Sequence, residues 1–361
     1  MNSRLFLDMH IIQTLPPSNI NRDDTGSPKT ALYGGVRRAR VSSQSWKAAM
    51  RKYFEYKGNE YKVGIRTRKI VEYIVEIIKK INDSYTDKEA TNRATNVLEQ
   101  AGIKIKEDNK VIYFFGEEQL ENIAKVAASP EFKIEKISDN KKANEEYQKL
   151  LKDDFYIDIA LFGRMIASER GLGVDASSQV AHAISTHGVQ TEFDYFVAID
   201  KQEGNSGAAM LGNIEYNSST LYRYANIALH EFLEQAGNKD SMINATKLFV
   251  EAFTKSLPTG KVNTFANQTL PSILVINLRE DRPVSLVSAF ESPVKSEEGY
   301  VAGSIRRMSE EMVKVQKFVE KPIKTLYLAI DNVDIAGGEE VDSLDELLEK
   351  LGVEIGNYQF S

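Results

Sequence analysis

Hydrophobic and polar positions alternate at the start of the chain. Leu5, Leu7, Met9 and Ile11 fall on one side, and Phe6, Asp8, His10 and Ile12 on the other. A period of two predicts a strand over Arg4 to Gln13. Pro16 and Pro17 are expected to end it, because proline donates nothing to a ladder. A polar loop, Asn19 to Pro28, carries Asp23-Asp24 and Gly26; Gly34-Gly35 then precede Arg37 to Arg40, expected as a short strand running into Val41. Ser42 or Ser43 can cap a helix that begins near Gln44. From about Lys57 to Asp153 the texture becomes charged and helical. Ile70, Ile74, Ile77, Ile78 and Ile81 recur at helical spacing, and Thr86 with Glu89 has the pattern of a capping box. A short strand is expected over 111–115 and helices over 117–128 and 140–152. Beyond it, strands are predicted at 155–162, 191–199, 221–228, 272–278 and 325–330, with helices at about 178–186, 241–256 and 305–319. The polar stretch between Asp200 and Ser219 reads as a protruding hairpin. This order describes an α+β sheet domain interrupted by a helical insertion.

Composition narrows the class. The 361 residues include no cysteine, which removes disulfides, thiolate metal sites and a cysteine nucleophile. Asp8 and His10 break the first apolar stretch too early for a signal peptide, and no run approaches the ~20 apolar residues of a membrane helix. A soluble, cytoplasmic protein is expected.

Charge changes the picture more. The net charge of −6 argues against a polyanion partner if it is read as a total. The thirty residues Thr25 to Phe54, however, contain no acid and seven bases: Lys29, Arg37, Arg38, Arg40, Lys47, Arg51 and Lys52. That segment carries +7 and the remaining 331 residues −13. Gln44, Lys47 and Arg51 share one helix face by spacing, with Trp46, Ala49, Met50 and Tyr53 on another. A helix N-terminus with a Ser pair and a basic face can hold phosphate oxygens through backbone N–H groups and side-chain donors. The competing reading is a solvated basic face beside a buried Trp46.

Other constellations carry less. His182 and His187 are five apart, off the four-residue spacing that puts two ligands on one helix face, and His230-Glu231 opens no zinc motif. Asp175, Ser177 and Ser178 lie near His182 without a nucleophile elbow. Structural or surface histidines, no metal and no cofactor are expected.

Several ordered blocks resemble a known family. They are Asn21-Arg22-Asp23-Asp24; Gly34-Gly35-Val36-Arg37-Arg38-Ala39-Arg40-Val41-Ser42-Ser43-Gln44-Ser45-Trp46-Lys47 with Met50-Arg51; Asp158 to Met165; Ala181 to His187; Tyr222-Arg223-Tyr224-Ala225-Asn226; and Ser288-Ala289-Phe290-Glu291. Together they resemble the CasC family, the repeating backbone subunit of the type I-E CRISPR surveillance complex, Cascade. The resemblance is weak from Asp83 to Asp154 and after Ala302.

The resemblance implies an RNA-recognition-motif-like (ferredoxin-like) palm over 1–56, 154–200 and 220–361, the last including a C-terminal segment. It implies helical fingers over 57–153 and a thumb hairpin over 201–219. It implies a non-catalytic subunit that oligomerises along the CRISPR RNA and presents it for pairing with target DNA. Partners would be further copies of the chain and the large, small, cap and RNA-processing subunits of Cascade. By the same resemblance Lys29, Ser42, Ser43, Gln44, Lys47 and Arg51 hold the RNA backbone, with Arg37, Arg38 and Arg40 beside them. Arg164 and Met165 meet the displaced nucleotide. Met210, Leu211 and Tyr216 are thumb wedges. Lys295 is a further RNA contact, although Glu297-Glu298 stand where the family often has another base. Lys141, Lys142, Lys149 and Lys152 are candidates for guiding target DNA. Two alternatives stand beside this reading. Asp23-Asp24 could make the chain a metal-dependent target-RNA nuclease, as in type III relatives, or the chain could be a generic RNA-binding scaffold.

Overall fold

In the computed structural model, residues 4–57, 61–105, 111–135, 144–152, 154–166, 168–199 and 208–360 are described, the side chains of 197–199 and 208–211 excepted. The chain opens with strand β1 (Phe6–Ser18), the hairpin β2 (Thr30–Tyr33) and β3 (Val36–Val41), and helix α1 (Ser43–Lys57). A second group follows: β4 (Ile65–Thr67), α2 (Ile70–Ile81), α3 (Asp87–Gln100), β5 (Tyr113–Phe115), α4 (Glu117–Ala128), α5 (Glu145–Leu150) and α6 (Ile157–Phe162). The chain then returns to strands and helices: β6 (Ser178–Val180), β7 (Ala183–Ser185), β8 (Glu192–Ile199), β9 (Ala208–Ala228), α7 (Leu229–Ala236), α8 (Lys239–Lys255), α9 (Val262–Phe265), β10 (Ile273–Arg279), α10 (Val301–Lys314), β11 (Lys324–Ala329), β12 (Glu339–Glu340) and α11 (Leu344–Asn357). Contacts divide it into two compact units, Met1–Tyr56 with Ser178–Ser361, and Lys57–Ser177.

The first unit is built on a mixed ten-stranded sheet in the order β12-β11-β10-β1-β9-β7-β3-β2, with β6 and β8 also paired to β9. β1 lies at its centre, antiparallel to both β9 and β10. Both of its faces are therefore covered. Leu7, Met9 and Ile11 are buried on one side. Ile12 joins Tyr222, Tyr224, Val275, Ile305 and Met308 in the core on the other. The polar members of the alternation, Asp8 and His10, are buried on that second face rather than solvated. The Tyr224 hydroxyl donates to Asp8 Oδ1 (2.7 Å), the Val284 N–H to Asp8 Oδ2 (2.9 Å), and His10 Nδ1 meets the Tyr222 hydroxyl at 2.9 Å. Burial raises the Asp8 carboxyl to about 7 and lowers the His10 imidazole to about 3.

Three local expectations are corrected. β1 runs through Pro16 and Pro17 to Ser18, because its register with β9 shifts between Leu15 and Ser18 and needs no N–H there. The run 157–162 is a helix, not a strand. All six of its side chains, Asp158 included, are buried, and periodicity cannot tell a short helix from a strand when every side is buried. Gly163, at φ +77°, ends it in a conformation that favours glycine. Residues 178–186 form β6 and β7 instead of a helix, since β9 offers a ladder to both.

The second unit follows the helical pattern. Ile70, Ile74 and Ile78 are buried along α2, and Thr86 and Glu89 form the capping box of α3. The three isoleucines join Val97, Leu120, Ile123 and Phe115 in one core. Among the described residues no helix is long and apolar enough to cross a membrane.

Candidate nucleic-acid interface

The basic segment folds onto one edge of the large sheet. Gly34 (φ +58°) and Gly35 (φ +77°) make the two-residue turn between β2 and β3, a geometry that demands left-handed backbone at both positions. Gly34 has a second constraint. A Cβ there would lie 1.6 Å from the Glu291 carbonyl oxygen, so the hairpin tip can seat against the 288–291 element only as glycine.

The loop before the hairpin is stapled through one side chain. The Asn21 carbonyl accepts the Lys29 N–H (2.9 Å), its Oδ1 accepts the Ser42 N–H (2.8 Å), and the Lys29 carbonyl accepts the Arg40 N–H (2.9 Å). Lys29, Arg40 and the start of α1 are thus fixed together by Asn21, the first residue of the Asn-Arg-Asp-Asp block.

Within the hairpin the arginines part company. Arg37 is exposed and reaches Thr30 Oγ1 (3.1 Å), and Arg40 is half-buried. Arg38 is fully buried. Its guanidinium donates to the carbonyls of Tyr33, Ser185, Phe290 and Glu291 at 2.8–3.2 Å. Arg38 is a clamp holding the hairpin to the sheet and to the 288–291 element. It is not presented to a ligand, and this removes it from the nine cationic or polar positions expected to line one groove.

Ser42 caps α1, its Oγ accepting the Ser45 N–H at 3.3 Å. Trp46, Met50 and Phe54 form the buried stripe, with Phe54 where Tyr53 was expected and Tyr53 donating to Glu251 Oε1 at the margin (2.9 Å). The neighbouring face presents Gln44, exposed, with Lys47 and Arg51 half-buried. Burial first, and then the Arg51 charge, lower the Lys47 ammonium below its ordinary range. Like charges on one helix face disfavour each other's charged form. The helix N-terminus itself differs from expectation. The Ser43 N–H already donates to His182 Nδ1 (3.1 Å) and the Ser45 N–H to Ser42, so the first turn is largely satisfied from within.

Asp23 closes its own loop. Its Oδ1 accepts from the Thr25 N–H (3.0 Å), the Thr25 hydroxyl (2.7 Å) and the Ser27 N–H (3.0 Å), and these bonds pull its carboxyl below the usual range. Asp24 is exposed. Among the described residues, no group of three or more His, Asp or Glu side chains stands ready for a metal ion. Loop residues 20–26, Ser45, Ala48 and Lys52 of α1, and 257–260 together wall an open cleft of about 570 Å³.

The remaining candidates are scattered. Arg164 is buried in the second unit over the Phe115 ring (4.7 Å), donating to the Leu172 and Leu151 carbonyls and to Gln119 Oε1. It staples that unit's interior, and burial lowers its guanidinium to about 10. Met165 beside it is 89% exposed. Lys149 and Lys152 are exposed in the same unit, and Lys295 is exposed in the first. Lys141 and Lys142 lie outside the described residues. β8 and β9 form a long hairpin pairing Glu192 with Tyr216 and Val197 with Leu211. Met210 and Leu211 are described there by backbone alone. Tyr216 sits near the hairpin base, its ring 5.8 Å from Phe265. The same hairpin exposes Phe193 and Tyr195, and Phe196 crosses to Gly212, which leaves room for its ring.

Two further residues adjoin the basic segment and were not expected there. Arg223, in the C-terminal part of β9, stacks on Trp46 of α1. A lone arginine within an alternating apolar strand was its signal. His182 belongs with Lys29 and Arg40, and its signal was its place in the Ala181–His187 block.

The α+β architecture of this chain is shared with known structures. A chain of a structure titled "CRISPR RNA-guided surveillance complex, pre-nicking" is 31% identical, with a TM-score of 0.85 over 97% of this chain and all of that one. A chain of a second "CRISPR RNA-guided surveillance complex" is 27% identical, with a TM-score of 0.76 over 97% and 99%. No curated protein matches. The CT1975-like protein family matches residues 7–350, and the chain belongs to it.

Proposed function

We propose that this chain is a CasC-type backbone subunit of a type I-E CRISPR surveillance complex. It grips the phosphate backbone of CRISPR RNA without reading sequence, and successive copies stack along the guide. The palm is RNA-recognition-motif-like, Lys57–Ser177 supplies the fingers, and the β8–β9 hairpin is the thumb. The observation that carries this reading is the clustering of Lys29, Arg37, Arg40, Lys47 and Arg51 on one hairpin and one helix of an otherwise acidic chain. Phosphate contacts position a nucleic acid and carry no sequence information, which suits a subunit that must accept any spacer. The likeness to chains of RNA-guided surveillance complexes supports it further. The subunit is read as non-catalytic, in keeping with Asp23, which spends one carboxylate oxygen on three bonds within its own loop. Its partners are CRISPR RNA, target DNA, further copies and the other Cascade subunits. Sequencing the RNA that copurifies from the native host tests this. Spacer-flanked CRISPR RNA is expected, and mixed cellular RNA would replace the reading with a generic RNA scaffold.

A further inference from the structure

The first turn of α1 leaves one side chain facing outward with a donor to spare. His182 Nδ1 accepts the Ser43 N–H at 3.1 Å, so the neutral imidazole carries its remaining proton on Nε2. The ring itself is exposed. β3 and β7 pair Arg40 with Ile184 and Val41 with Ala183, which sets His182 two positions beyond Ile184, on the Arg40 side of the ladder. Lys29 is bonded through its carbonyl to the Arg40 N–H, and it completes the surround. Burial, Arg40 and Lys29, in that order, lower the imidazole below its ordinary range, since a third positive charge beside two fixed ones is unfavourable. The site therefore offers a neutral N–H within the field of two cations, its other ring nitrogen already occupied by the protein. The complementary ligand atom is an anionic oxygen.

We propose that His182 Nε2–H donates to a non-bridging phosphate oxygen of the bound RNA, with Lys29 and Arg40 supplying the charge. This rests on the RNA-binding reading above. It assigns to the imidazole the contact that the α1 backbone, occupied by His182 and Ser42, does not make.

The test uses the full chain and a labelled single-stranded RNA of mixed sequence, titrated over a range of salt. His182→Asn keeps an acceptor near the Nδ1 position for the Ser43 N–H and lacks the outward donor. It is expected to melt like the wild type and bind about tenfold more weakly. The slope of log affinity against log salt stays unchanged, because a neutral donor releases no counterion. Lys29→Ala, by contrast, lowers that slope by about 0.7. His182→Gln, which brings an amide N–H toward the Nε2 position, recovers most of the affinity. Wild-type affinity in His182→Asn overturns the assignment, and so does a loss in both variants that tracks a lowered melting temperature. A wild-type chain that binds no RNA at any salt overturns the function itself, a result distinct from either.

Discussion

The Arg223 guanidinium lies 3.8 Å from the centre of the Trp46 ring, joining the C-terminal part of β9 to the helix that carries Lys47 and Arg51. Arg223 is buried, bonded to Gln13 Oε1 and the Phe253 carbonyl, and also packed on the Phe253 ring. Burial lowers it to about 9. A desolvated cation against indole is worth about 2 kcal/mol, and it fixes the rotation of α1 about its axis.

Trp46→Ala should therefore destabilise the protein by about 3–5 kcal/mol, the cost of a large aromatic cavity increased by an Arg left without its π partner. Urea denaturation of the two proteins measures it. A loss under 1 kcal/mol would mean that α1 is held elsewhere.

Lys47→Glu with Arg51→Glu acts on the ligand and not on the fold. Both side chains flank the buried stripe rather than form it, so the melting temperature should stay within a few degrees of wild type. Copurifying guide RNA should disappear. Unchanged RNA content in this double variant would take the α1 face out of the interface.

Arg164 and Met165 are adjacent and should behave in opposite ways. Arg164→Met takes the guanidinium donors away from the Leu172 and Leu151 carbonyls and from Gln119 Oε1, which keeps the Gly116 N–H, and costs about 2–4 kcal/mol. Met165→Ala, at a position 89% exposed, should change stability by less than about 0.5 kcal/mol. Thermal melts of the pair decide it, and equal effects would contradict the interior role of Arg164.

The buried Asp8–His10 network predicts a pH signature. Asp8 has a folded value of about 7 against 3.8 for the free group, so its contribution is complete below pH 3.8 and is lost as pH rises through 7. His10 works in the opposite sense: held near 3 against 6.5, its contribution is complete above 6.5 and lost as pH falls toward 3. Asp8→Asn removes only the first term. Relative to wild type, it should gain stability steadily from pH 4 to 7, by on the order of 4 kcal/mol. Denaturant melts across that range check it, and a flat difference would show that Asp8 is not desolvated.

Much of the plan was legible before folding. Helices α2, α3 and α4 follow from a period of 3.6, because each buries one stripe that the chain itself repeats, and the capping box at Thr86 marks a helix start; β10 reads instead as a short apolar run that is buried on both faces. The acid-free segment also marked the candidate interface, since a run of seven bases records charge wherever it folds. Composition could not say which of those bases face outward. Arg37 and Arg38 are neighbours in one strand, and a half-turn of the pleat exposes the first and buries the second under four carbonyls. The short runs 157–162 and 178–185 were equally undetermined locally; the first is buried on every side, and the second forms strands because β9 pairs with both halves of it. Sequence by itself set where the charge lies and which segments carry regular periods. Tertiary structure decided which cations became clamps, as Arg38, Arg164 and Arg223 did, because desolvating a guanidinium requires acceptors that come from strands and loops distant in the chain.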